Sequence, residues 1–293
     1  MIDFLFHLPD LTIFLILSSI TMGFSIIAIL ISKRFIFYRL KYRDNVTIGS
    51  ISSLIGIMYG VLVGFMALYL IDNNDHASDA VLREASAVAN VYRDSQWLKD
   101  PFPEQIRAQL EKYINKAITV EWPVMREGKD VDADGDYIIQ NISNLMRGYS
   151  LSSDADKLIT QDILIELKSL YNARHERISM STSQLSPELW EVILIGTILL
   201  IGINYAFRVN FYLHLFAISA FSIMAASMLF LLVTLDRPFQ GEFIVEPDAL
   251  QAVMTFMKTG KESALKSAAH FRHHHIHSFH RAWEPSPSEQ ALT

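Results

Sequence analysis

The sequence predicts an all-α fold: four transmembrane helices, with a helical soluble insert between the second and the third. Three observations point to it. Uncharged stretches at 11–32, 46–71, 192–207 and 209–235 punctuate the 293 residues. Only 19% of the chain is charged and 51% is hydrophobic, where soluble domains carry about 25% charged residues. The charge gathers between the second and third stretches: residues 72–189 hold 13 Lys/Arg and 20 Asp/Glu, a net of −7 in a chain of net charge −6.

A spanning helix needs about 20 apolar residues, because it rises about 1.5 Å per residue across about 30 Å of hydrocarbon. The first span, 11–32, reaches that length. It is not expected to be a cleaved signal: residues 1–10 contain Asp3 and Asp10 and no Lys or Arg, and no small-residue cleavage site follows. Lys33, Arg34, Arg39, Lys41 and Arg43 crowd the link to the second span. Short basic links stay in the cytoplasm. The N-terminus and the insert are therefore expected on the extracytoplasmic side.

The second span, 46–71, completes the first transmembrane hairpin (1–71). It carries Gly49, Ser53, Gly56, Gly60, Gly64 and Ala67 at spacings of four, three, four, four and three. These form one small-residue stripe, and small residues let helix backbones approach closely. The stripe serves either packing, within the chain or between subunits, or the lining of a pore. Ser18, Thr21 and Ser25 make a weaker polar stripe on the first span.

The insert, 72–188, reads as helical. Val81, Ala85, Val88 and Tyr92 share a face, and Ser78 either caps that helix or lies within a continuation of the second span. Ile106, Leu110, Tyr113, Ala117 and Val120 repeat the pattern, until Pro123 kinks or ends the helix. Further helices are expected near 137–146 and 154–178. Arg174 and Arg177 lie three apart on the last of these, as a charged helix end or as partners for acids of the insert or lipid phosphates. The second transmembrane hairpin, 189–235, pairs spans at 189–207 and 213–235. Asn204 is the one side-chain amide of the third span, expected to bond across helices.

After the fourth span comes the post-membrane segment, 236–268. It begins with Asp236, Arg237, Pro238, Phe239 and Gly241. The neighbouring opposite charges ease ionisation beside lipid, Pro238 ends the helix, and Gly241 permits a turn. An amphipathic helix with Leu250, Val253, Met254 and Met257 follows. The tail, 269–293, is expected to be disordered.

Six of the ten histidines fall in 270–280. His270, His273, His274 and His277 share a helical face and are the candidate ligands for a divalent metal. Asp130, Asp132, Asp134 and Gly135 match the start of a Ca²⁺ loop, but Asn141 stands where its closing Glu belongs, so a solvated turn is the plainer reading. There is no Cys, phosphate loop, dinucleotide pattern, H-E-x-x-H or G-x-S-x-G. Of His, Asp and Glu, the uncharged stretches hold only His214. An enzyme is not expected, no cofactor is required, and the acidic insert is no nucleic-acid surface.

The segments "EASAVANVYRD", "YINKAITVEWPVMREG", "NARHERIS", "LSPELW" and "LDRPFQGEFIVEPDAL" resemble the bacterial bestrophin-like family, a domain of uncharacterised role, over about residues 10–257. The resemblance implies four transmembrane helices with a helical insert. The family's name links it to bestrophins, which are pentameric anion channels. The expected function is a homo-oligomeric ion (anion) channel or pore in the lipid bilayer, with Gly56, Gly60 and Gly64 as the leading positions for packing or gating. The other reading is a non-conducting membrane sensor or scaffold whose insert binds a partner or metal.

Overall fold

The structure is a computed structural model and describes residues 9–35, 44–207, 209–241 and 244–260. These residues form nine α-helices and no strand: α1 (Asp10–Phe35), α2 (Asn45–Ser95), α3 (Phe102–Lys116), α4 (Trp122–Arg126), α5 (Asp134–Arg147), α6 (Asp154–Ser181), α7 (Pro187–Ile203), α8 (Phe211–Leu235) and α9 (Asp248–Thr259). A π turn, Ala117–Glu121, joins α3 to α4, and a 3₁₀ turn, Asn204–Ala206, extends α7. Of Lys33 and Arg34 only the backbone is described; Arg39, Lys41, Arg43 and the histidine-rich segment lie outside the described residues.

The second apolar stretch and the first helix of the insert are one helix, α2, of 51 residues. Ser78 therefore lies in its interior and caps nothing. The chain divides into two compact units, residues 1–76 with 180–245 and residues 77–179 with 246–293.

In the first unit, α2, α7 with its 3₁₀ turn, and α8 are long and apolar enough to cross a membrane; the described apolar part of α1, Leu11–Ile27, is shorter. α8 is the most enclosed, with 39% of its apolar window buried against 17% for α2. Leu54, Ile57, Met58, Val61, Phe65 and Leu68 of α2 are each more than half exposed. The first half of α2 thus keeps most of its apolar surface uncovered by its own chain.

α1 packs along α8. Phe14 meets Phe230 edge to face at 5.7 Å, and two stripe residues add polar links. The Thr21 hydroxyl reaches the Ser222 carbonyl at 3.3 Å, and the Ser25 and Ser222 hydroxyls pair at 2.5 Å. In an apolar setting such groups must find each other. Asn204 does not bond across helices: its amide donates to the Leu200 carbonyl of its own helix at 2.7 Å, which satisfies it at the frayed end of α7.

α2 and α7 cross where the Tyr59 ring lies against Gly196. A Cβ on Gly196 would stand 2.6 Å from that ring. Beside it the Tyr59 and Thr197 hydroxyls pair at 2.7 Å. Ser186 caps α7 by accepting from the Leu189 N–H, with Pro187 at the first helical position, where no N–H is required. Asn210 caps α8 by accepting from the Tyr212 N–H.

The second unit buries Ile106, Leu110 and Ile114 of α3, Ile142 of α5, Ile163, Leu167 and Leu170 of α6, and Leu250 and Val253 of α9. Tyr92 meets Phe256 of α9 edge to face at 5.7 Å. α6 starts at a capping box: the Ser153 hydroxyl accepts from the Asp156 N–H, and the Asp156 carboxylate accepts from the Ser153 N–H.

Gly196→Ala is expected to push Tyr59 aside and cost about 1–3 kcal/mol. Gly60→Ala, at a position with open space around it, is expected to be neutral or to stabilise by up to about 1 kcal/mol, as Ala does in helices. Chemical unfolding in detergent micelles measures both, and equal effects would contradict the crossing described.

Candidate functional site

Two polar clusters stand out, one in each unit. In the second unit, five charged side chains converge from four separate segments. Arg177 and Arg174 lie three apart on α6, so one face of the helix presents both. Both are fully buried, at 0% and 1% exposure. The Arg177 guanidinium bonds both oxygens of Glu84 on α2, at 2.5 and 3.0 Å, and one oxygen of Glu121 at 2.6 Å. Its remaining nitrogen meets the Met125 sulfur at 3.4 Å, and its carbon lies 4.7 Å from the centre of the Trp122 ring. Arg174 bonds the other oxygen of Glu121 at 2.9 Å, Asp136 of α5 at 2.6 Å, and the Asp132 carbonyl at 2.8 Å. The Tyr113 hydroxyl of α3 donates to Glu84 at 2.5 Å.

Burial works against charge on both arginines, but the carboxylates around them outweigh it: Glu84 holds Arg177, and Glu121 holds Arg174, above the ordinary guanidinium range. Burial, with the Glu84 charge behind it, raises the Tyr113 phenol well above its usual value, so it stays a donor. The cluster is saturated with its own partners, which suits holding helices in place.

Glu121 reaches both arginines because of the π turn. The Trp122 N–H bonds the Ala117 carbonyl, five residues back, and such a turn inserts one residue into the helical register. Val120, which the α-helical period places inward, is consequently 44% exposed, while Glu121 is 1% exposed.

Gly135 completes the enclosure, since a Cβ there would lie 2.7 Å from both the Arg174 Cζ and a Glu121 oxygen. The Asp-rich loop keeps Asp132 and Asp134 exposed, as a solvated turn does, and draws Gly135 and Asp136 inward. Lys116 bonds Asp134 at 2.6 Å and Asp132 at 3.2 Å, Asp136 serves Arg174, and Asp130 is exposed. Among the described residues no cluster of three metal-ligating side chains occurs.

In the first unit, the cluster sits where α8 ends. Asp236 is 3% exposed. Its carboxylate accepts from the Leu185 N–H at 2.7 Å and from the Trp190 indole at 3.4 Å. Asn74 of α2 donates to the Leu235 carbonyl at 2.8 Å, a group the end of α8 would otherwise leave unpaired. Arg237 bonds Gln184 at 2.9 Å and Gln240 at 2.8 Å. Pro238 and Phe239 are buried, and Gly241 has φ +96°, a conformation glycine adopts without strain.

Along α2 the small-residue stripe borders the packed face. A Cβ on Gly56 would meet Leu200 at 3.6 Å, and one on Gly49 would meet Phe207 at 3.8 Å; around Gly60 and Gly64 there is open space. Ser53 is exposed. The close helix approach falls at Gly196, a position without a visible sequence pattern. His270, His273, His274 and His277 lie outside the described residues.

A family model for a bestrophin-like domain matches residues 19–250. The chain belongs to the bestrophin-like family. A tryptophan-to-alanine variant of a bacterial bestrophin homologue from Klebsiella pneumoniae superposes on this bestrophin-like chain with a TM-score of 0.60 at 15% identity, over 89% of this chain and 98% of that one. A membrane protein with a proline-to-alanine change superposes with a TM-score of 0.58, also at 15% identity, over 87% and 98%. At that identity the likeness is one of fold. No curated protein matches the chain.

In this bestrophin-like fold, Arg177→Met leaves Glu84 and Glu121 buried without their cation and is expected to cost about 3–5 kcal/mol. Adding Glu84→Gln should recover part of that loss. Unfolding of the two single variants and the double by denaturant measures the cycle, and simple additivity would contradict the pairing.

Proposed function

We propose that this bestrophin-like protein is a homo-oligomeric ion channel or pore that crosses the membrane four times. The observation that carries the reading is α2, the span whose apolar window is least covered by its own chain and whose stripe has open space at Gly60 and Gly64. A face of that kind supports packing against other subunits around a shared path. α1 supplies the fourth crossing, since its 26 residues span about 39 Å at 1.5 Å each. Anions are the expected permeant ions, on the family resemblance.

The five basic residues between the first two spans hold that link in the cytoplasm and put the insert on the other face. Arg174 and Arg177 weigh little against this orientation, because both are buried in ion pairs with the insert's own acids. Asp236 and Arg237 brace the start of α7 rather than offering free charge to a pore mouth.

Purified protein in planar bilayers is expected to conduct, with Gly60→Leu lowering or abolishing unitary conductance while assembly persists. Silence across varied pH, Ca²⁺ and voltage would favour a non-conducting scaffold. The reversal potential under a salt gradient reports the sign of the permeant ion.

The sequence has no cysteine, so orientation can be read one position at a time. A cysteine replacing the exposed Asp130 is expected to react with a membrane-impermeant maleimide in intact spheroplasts. Labelling only after lysis would reverse the orientation.

A further inference from the structure

The exit cluster of the first unit holds a buried acid whose two oxygens serve unequal tasks. Oδ1 of Asp236 accepts the Leu185 backbone N–H at 2.7 Å, in the segment that leads into α7. Oδ2 accepts the Trp190 indole N–H of α7 itself at 3.4 Å. Leu185, Trp190 and Asp236 are 3%, 8% and 3% exposed, so water is poorly placed to replace either bond. We propose that Asp236 is a proton-operated clasp: its charged carboxylate holds the Leu185 N–H and the Trp190 indole together, and protonation at Oδ2 releases the indole.

The chemistry follows from donor counting. An ionised carboxylate only accepts, whereas a protonated one carries an O–H that must itself donate. The short Oδ1 bond is the stronger, so the proton settles on Oδ2, where the longer indole bond is the weaker competitor. The hydroxyl that Oδ2 becomes is a poorer acceptor, so the indole N–H, a donor only, is held more weakly inside a buried pocket, which favours a shift of the Trp190 ring.

The surroundings favour protonation. Burial raises the affinity of Asp236 for a proton; the Leu185 and Trp190 hydrogen bonds and the Arg237 charge oppose it without cancelling it. Other groups of the cluster are neutral: Asn73 and Asn74 on α2, Ser183 and Gln184 before α7, and Gln240 after α8. The described carboxylates of the neighbouring helices, Asp72 and Asp75 on α2 and Glu188 and Glu191 on α7, are exposed to solvent. Because the folded chain binds this proton more readily than an unfolded one, acid through the midpoint favours the protonated folded state. Through this group acid therefore adds no drive to unfold the chain.

The test is ¹⁹F NMR of the full chain with 5-fluorotryptophan at its four tryptophans, in detergent micelles, the Trp190 resonance being assigned with Trp190→Phe. That resonance is expected to shift between roughly pH 4 and 8, with a midpoint above the ordinary aspartate value of about 3.9. Asp236→Asn should abolish the shift, and Arg237→Gln, which removes the opposing charge, should move the midpoint upward. A Trp190 resonance that stays fixed over the range would overturn the proposal. So would a shift that persists in Asp236→Asn. Should that variant fail to fold, an unmoved midpoint in Arg237→Gln would count equally against it.

Discussion

Glu121 is bonded by two arginines at once, one to each oxygen, and the second unit is organised around that bridge. A buried carboxylate is costly unless each lone pair meets a donor. Glu121 meets three N–H groups from Arg174 and Arg177, and those guanidiniums take up Glu84 and Asp136 with what remains. Five segments therefore have to arrive together: α2, α3 through Tyr113, the π turn, α5 and α6. Apolar helix faces tolerate small slides, since any methyl packs about as well against its neighbour. Guanidinium–carboxylate forks do not, because their donors are fixed in a plane. The apolar core of this unit provides the bulk of burial, and the ion network specifies which arrangement the burial must take.

The first unit follows another rule. Its helix faces are apolar over long distances, and its polar groups are placed either in matched pairs between helices or at helix ends. Ser25 with Ser222 and Tyr59 with Thr197 are of the first kind. Asp236 with Leu185 and Trp190, and Asn74 with the Leu235 carbonyl, are of the second. In each case the reason is that lipid offers no partner for an unpaired group. The uncovered apolar side of α2 is the exception that needs something outside the chain, either lipid or another copy.

The helices of the fold were legible because length and missing charge mark spans, and because the insert keeps a clean helical period. The buried faces through Ile106, Leu110, Tyr113 and Ala117 follow that period. It misleads at Val120, where nothing in the residue types announces a π turn. The clue was Glu121 itself, an acid set between Val120 and Trp122, which has reason to turn inward only if cations wait there. Arg174 and Arg177 were visible as a pair, but their partners lie as far as 93 residues away, and periodicity carries no information across such gaps. The close approach at Gly196 was likewise hidden, because a lone glycine in an apolar run has no neighbours at helical spacing to single it out. The stripe on α2 had that spacing, although its own chain leaves room around Gly60 and Gly64.

The π turn also makes the stretch from Ala117 to Glu121 behave unlike an ordinary helical segment when the chain length changes. Loss of one residue inside a regular α-helix rotates everything beyond it by about 100° and scrambles the buried face. Here the extra residue is already present, and its loss would restore the unbroken period. Glu121 would then take the inward place that the regular period gives to residue 120, so the arginines would keep their shared acid and the residues beyond it would keep their faces. A one-residue deletion between Ala117 and Val120 therefore spares the counter-charge that α6 requires, whereas the same deletion earlier in α3 would turn the buried face away.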